Sequence, residues 1–66
     1  MTITLNGRPH QVPAACTVTN LLAEMQIAVR HVAVEINREI VPRSRHAEHR
    51  LLEGDQVEVV TLVGGG

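Results

Sequence analysis

The sequence predicts an α+β fold, one short helix lying against a sheet, and three observations point there. Only Val18, Leu21, Leu22 and Met25 recur at helical spacing, i, i+3, i+4 and i+7. Several other stretches alternate polar and apolar residues with the two-residue period of strands. Turn chemistry separates them, above all Asn6-Gly7, whose residue types suit the two positive φ angles of a tight hairpin.

Taken in order, Thr2-Ile3-Thr4-Leu5 reads as a half-buried strand with Ile3 and Leu5 inward. Asn6-Gly7 turns the chain into a second strand over Arg8 to Val12, where Pro9 restricts the pairing and Pro13 ends it. Thr17 suits a helix N-cap, its hydroxyl accepting from a backbone N–H of the first turn. Asn20 stands where a capping box wants Glu or Gln, so the reciprocal half of that motif is expected to be missing. The helix should run for about ten residues and depend on packing against the sheet. Val32-Ala33-Val34-Glu35-Ile36 resumes the strand period with Val32, Val34 and Ile36 on one face. Asn37-Arg38-Glu39 turns, and Ile40-Val41 forms a short strand stopped by Pro42. From Arg43 to Arg50 the chain is polar, with at most a helical turn near Ser44 to Glu48, and Leu51-Leu52 then anchors it. Glu53-Gly54-Asp55-Gln56 makes another turn, and Val57 to Leu62 is the last strand. The order is ββ, helix, ββ, loop, β, which divides the chain into one domain over residues 1–63 and a tail over 64–66.

Composition narrows the function classes. Sixty-six residues make a single domain, and 44% hydrophobic content without Phe, Tyr or Trp leaves the core to Val, Leu and Ile. A net charge of -1 argues against nucleic acid as a partner. One cysteine forms no internal disulfide, and no thiol pattern suggests zinc. The polar, alternating start is unlike a signal peptide, and no apolar run is long enough for a bilayer, so a cytoplasmic protein without membrane contact is expected. All six basic residues are arginines, and the absence of lysine argues against a tag that polymerises through its own side chains.

Few residues offer chemistry. His46 and His49 lack the further ligands a metal site needs and read as solvated loop histidines, as do the isolated His10 and His31. Cys16 precedes the helix, where the helix dipole tends to lower a thiol pKa, yet no base or oxyanion site accompanies it, and it reads instead as simply filling a small loop position. Glycines 64–66 open no helix and precede no lysine, so they form no phosphate loop. No catalytic residue is apparent, which leaves the end of the chain. Gly64-Gly65-Gly66 would extend roughly 10 Å past the last strand. The tail reads either as a frayed terminus or as a thin thread carrying the Gly66 carboxylate into another protein's active site. On the last strand, Val57 and Val59 point inward and Glu58 outward, and the same parity turns Val60 and Leu62 outward beside the tail. That apolar pair is either incidental surface or, as we expect, a docking face.

With these elements placed, the whole chain resembles the ThiS family of small sulfur carriers of thiamine biosynthesis. The resemblance rests on length, on the Asn6-Gly7 hairpin, on Ile36-Asn37-Arg38-Glu39-Ile40-Val41-Pro42-Arg43, on Gly54-Asp55-Gln56 and on the terminal Gly65-Gly66. Gly64 departs by adding a third glycine, and Val60 is smaller than the bulky residue often found there. The resemblance implies a β-grasp fold, a mixed five-stranded sheet over one helix. It implies a carrier rather than an enzyme: a ThiF-like adenylating enzyme uses ATP to activate the Gly66 carboxylate, and a cysteine desulfurase or other persulfide donor supplies sulfur. Thiazole synthase then takes that sulfur from the C-terminal thiocarboxylate. By the same resemblance, Gly64 and Gly65 serve tail recognition, Val60, Leu62 and Glu58 form the partner interface, and the chain itself binds no cofactor and no metal. A carrier of the same fold for molybdopterin synthesis or transfer-RNA thiolation, or a ubiquitin-like modifier, remains an alternative.

Overall fold

A computed structural model describes residues 1–27 and 31–61. Strand β1 (Thr2–Leu5) pairs antiparallel with β2 (Arg8–Gln11), followed by helix α1 (Val18–Glu24). Strand β3 (Val32–Ile36) pairs antiparallel with the two-residue β4 (Glu39–Ile40), a 3-10 turn spans Arg43–Arg45, and β5 (Gln56–Thr61) closes the order. The sheet runs β2-β1-β5-β3-β4, with β5 parallel to β1 and antiparallel to β3. This mixed five-stranded sheet with one helix is the β-grasp arrangement expected.

Both hairpins turn on two residues of positive φ. Asn6 (φ 50) and Gly7 (φ 84) match the expectation, whereas the second pair, Asn37 (φ 52) and Arg38 (φ 71), sets a side chain where glycine is favoured. Glu39 therefore opens β4 instead of closing the turn. Pro9 stands opposite Thr4 on the edge strand β2, where a missing ladder N–H is tolerated. Strand β2 stops at Gln11, and Val12 is instead tied to Met1, its N–H donating to the Met1 carbonyl at 2.9 Å.

The helix differs from expectation at both ends. At its start the Asn20 N–H donates to Thr17 Oγ1 (3.1 Å), and the Thr17 N–H donates back to Asn20 Oδ1 (3.0 Å). The capping box is therefore complete, because an asparagine carbonyl accepts as a glutamine carbonyl does. The two remaining first-turn donors reach the 43–50 loop, Val18 N–H to the His49 carbonyl and Thr19 N–H to the His46 carbonyl, both at 3.0 Å. At its end the helix is seven residues long, not ten. Gln26 takes φ 59, its N–H bonds the Ala23 carbonyl (3.1 Å), and the Ile27 N–H bonds the Leu22 carbonyl (3.2 Å). These two bonds are the Schellman pattern that ends helices, here without glycine.

The core lies between α1 and the inner face of the sheet, with Ile3, Val18, Leu21, Leu22, Leu51, Val34 and Val57 its most fully enclosed side chains. The alternation holds throughout: Val32, Val34 and Ile36 on β3 and Val57 and Val59 on β5 are buried. Leu51 and Leu52 divide, Leu51 entering the core and Leu52 remaining 66% exposed, since successive extended residues point opposite ways.

Two readings of single residues are corrected. His46 is not a solvated loop histidine but only 3% exposed. Its Nε2 lies 3.0 Å from the Val41 carbonyl, which only accepts, so Nε2 carries the proton. The loop around it is drawn inward because its carbonyls satisfy the helix N-terminus. His10 is not isolated, since its Nε2 lies 2.6 Å from Glu24 Oε1 on α1. Cys16 does fill a small position, now seen to be buried, and burial, followed by the nearby Glu24 charge, pushes its thiol up, against the lowering a helix dipole alone would give. With the first-turn N–H groups bonded to Thr17, His46 and His49, the helix terminus offers the sulfur little stabilisation.

Candidate functional site

The sequence places the chemistry at the end of the chain, and β5 is the element that carries it there. Leu62 and Gly64 to Gly66 lie outside the described residues, so the site consists of the platform from which they depart. Strand β5 is held on both sides. Against β3 it is paired along its length, from Ile36 opposite Val57 to Val32 opposite Thr61, the last described position. On its other side β1 ends at Leu5, and Asn6 takes over. Its N–H donates to the Val57 carbonyl (2.9 Å), its Oδ1 accepts from the Val59 N–H (2.7 Å), and its Nδ2 donates to the Val59 carbonyl (3.3 Å). One asparagine side chain thus substitutes for a missing strand residue, beyond its role in the turn.

The start of β5 is fixed by a second polar group that sequence reading treated only as turn residues. Asp55, 7% exposed, accepts from the Leu52 N–H through Oδ2 (2.8 Å) and from Asn37 Nδ2 through Oδ1 (3.0 Å). Asn37 in turn accepts from the Gln56 N–H through Oδ1 (3.0 Å) and donates its own N–H to the Gln56 carbonyl (2.8 Å). The β3–β4 turn is thereby latched onto the turn before β5. The one available signal was an Asp in a Gly-Asp turn, a residue that often bonds nearby backbone N–H groups.

With its register fixed, β5 presents Gln56, Glu58 and Val60 on the face opposite the helix, all exposed. Val60 is 53% exposed, as the alternation requires. Opposite Val60 on β3 is Ala33, and opposite Glu58 is Glu35. A separate cleft of about 460 Å³, lined in part by Ile36, Ile40, Arg45, His49 and Leu52, lies at the end of the sheet away from Thr61. Among the described residues no three His, Cys, Asp or Glu side chains gather as metal ligands would, and no helix is long and apolar enough to cross a membrane. Cys16, buried with a raised thiol, is a core residue here and not a poised nucleophile.

Comparison with known proteins agrees with this geometry. The model of the ThiS family matches residues 3–66. The sulfur carrier protein ThiS of Escherichia coli (strain K12) is 35% identical over 66 residues, covering all of both chains. A thiazole synthase of Paramagnetospirillum magneticum is 42% identical over 66 residues, and the chain spans only 20% of its length, as it does for a second thiazole synthase from Magnetococcus marinus. The crystal structure of the thiamine biosynthesis protein ThiS from Geobacter metallireducens superposes with a TM-score of 0.82 at 36% identity, each chain covered in full. The shared fold, the match along the whole chain and the family model together place this chain in the ThiS family.

Proposed function

We propose that this chain carries sulfur for thiazole formation in thiamine biosynthesis as a C-terminal thiocarboxylate on Gly66. The observation that supports this reading most is the family match through residue 66, which includes the three glycines. A carboxylate of ordinary pKa is ionised at neutral pH and is a poor electrophile. A ThiF-like enzyme uses ATP to convert it to an acyl adenylate, releasing pyrophosphate and creating a leaving group. The outer sulfur of a persulfide donor, such as a cysteine desulfurase, then displaces AMP to give an acyl disulfide, and a second thiol attacks the donor's sulfur, breaking the S–S bond to release the thiocarboxylate and leave a disulfide on the donor side. Thiazole synthase accepts that sulfur, and the two relatives of that name that contain a segment like this chain favour it over other acceptors.

In this reading the chain is a protein co-substrate working in the cytoplasm, and its partners provide the catalysis. Gly64 and Gly65 fit a channel too narrow for side chains, and Val60, Leu62 and Glu58 bear on the partner. The anchored β5 fixes the chain as far as Thr61, the residue from which the segment carrying the tail continues.

Intact-protein mass spectrometry tests this after incubation with ATP, a sulfur donor and the adenylating enzyme. The wild type should gain the mass of one sulfur in place of one oxygen, located on Gly66 by fragmentation. Deleting Gly66 should abolish the gain and leave thermal unfolding unchanged, because the reacting atoms must approach within about 3–3.5 Å and one residue changes the reach by as much. Sulfur loading that persists in the deletion variant, or maps to Cys16, would overturn the reading.

A further inference from the structure

The cleft of about 460 Å³ at the end of the sheet away from Thr61 brings exposed apolar groups and unpaired charges together. Of the three large hydrophobic residues most exposed among the described ones, Ile40 (70%) and Leu52 (66%) both line it. Glu39, from β4, and Arg45, from the 3-10 turn, line it as well. The ion pair formed among the described residues is His10 with Glu24, so Glu39 and Arg45 are unpaired in the cleft they share. Asp55 is not open to a partner in the same way, since its two oxygens already accept from the Leu52 N–H and from Asn37. Both walls are held by hydrogen bonds within the chain. Asn37 latches the hairpin that carries Glu39 and Ile40 to the turn before β5. His46 Nε2 donates to the Val41 carbonyl and so ties down the loop that carries Arg45.

We propose that this cleft is the interface of a symmetric dimer. A second copy of the chain sets its own Ile40 and Leu52 against the same pair, and Glu39 of each copy meets Arg45 of the other. The charges select the occupant. A patch that holds one unpaired carboxylate and one unpaired guanidinium is its own complement, because a two-fold axis brings each opposite its counterpart. A partner carrying one sign of charge satisfies one of the two groups and repels the other. Burial of the four apolar side chains drives the contact, while the ion pairs fix its orientation, since exposed pairs by themselves contribute little. The walls are already ordered, so association costs little further ordering. Few side chains take part, which places the dimer among weak, concentration-dependent associations. From Gln56 to Thr61, β5 runs about 17 Å away from the cleft, so pairing there leaves Thr61 of each copy clear of the interface. The inference goes beyond the carrier reading and does not depend on it.

Sedimentation velocity and diffusion NMR on the full chain, from about 10 µM to about 2 mM, read the monomer–dimer equilibrium. Reductant is kept present so that Cys16 cannot join two copies. The wild type should pass reversibly from monomer to dimer over this range. Glu39→Arg alone and Arg45→Glu alone should each raise the dissociation constant at least about tenfold. Both should melt near the wild-type temperature, because the two side chains are exposed. Mixed in equal amounts, the two variants should associate again, since every contact between positions 39 and 45 then joins opposite charges. Leu52→Ser should weaken the dimer by removing apolar area. A wild type that stays monomeric at the highest concentration would overturn the inference. So would charge reversals that leave the wild-type equilibrium unchanged, or a mixture that associates no better than either variant alone.

Discussion

Asp55 shows how much one side chain can settle that its position in the sequence does not reveal. Although buried, it accepts from a backbone N–H three residues earlier and from an asparagine eighteen residues earlier. Asp55→Ala leaves the Leu52 N–H and Asn37 Nδ2 without their acceptor, and the loss should be about 1–3 kcal/mol, read as a lower urea midpoint. An unchanged midpoint would mean that water replaces the carboxylate without cost. Turn propensity identified Asn37 and Asp55 separately, but no periodicity links two polar residues that meet across a sheet. His46 was misread for the same reason. A histidine in a polar run looks solvated until the carbonyls around it are needed by a helix elsewhere.

At the scale of elements, the helix was legible in its face and less so in its length. Val18, Leu21 and Leu22 are fully enclosed, as their spacing required. Leu22→Ala should cost about 2–5 kcal/mol, a loss that a domain of this size barely withstands. Chemical denaturation measures it, and a midpoint equal to wild type would show that the site collapses around the missing atoms. The early stop was not legible because Gln26 adopts a left-handed conformation usually left to glycine. The turn that follows places Ile27 partly buried against the core. The strands were read more closely, since a period of two leaves little freedom once one face is buried. Their ends shifted by a residue: β2 stops at Gln11, β4 runs from Glu39 to Ile40, and β5 opens at Gln56.

The whole molecule offers a test through pH. Burial, then the Glu24 charge, raises the Cys16 thiol, so the folded protein holds that proton more tightly than the unfolded chain does. The stabilisation is complete below the ordinary thiol value and is lost as pH rises through the higher folded value. The chain has no tyrosine and no lysine, so Cys16 is the side chain expected to dominate the alkaline range below arginine. Stability measured from about pH 8 to about pH 11 should therefore fall for wild type and fall less steeply for Cys16→Ala, whatever its starting value. Parallel slopes would show that the thiol does not govern the alkaline loss.

By itself the sequence determined which segments become helix and strand and which residues of each face inward. These follow from local spacing, because each side chain's direction is set by the dihedral angles of its own element. The resemblance in Gly54-Asp55-Gln56 and the glycines added the expected architecture and role. Only the tertiary structure decided that the last strand lies between β1 and β3, so that Asn6 completes its hydrogen bonding and Glu35 comes opposite Glu58. It also decided that Asp55 meets Asn37 and that the loop carrying His46 serves the helix. The physical reason is one of range: residues tens of positions apart have no spacing to betray them. They meet because every buried backbone donor and acceptor must find a partner once the core has closed.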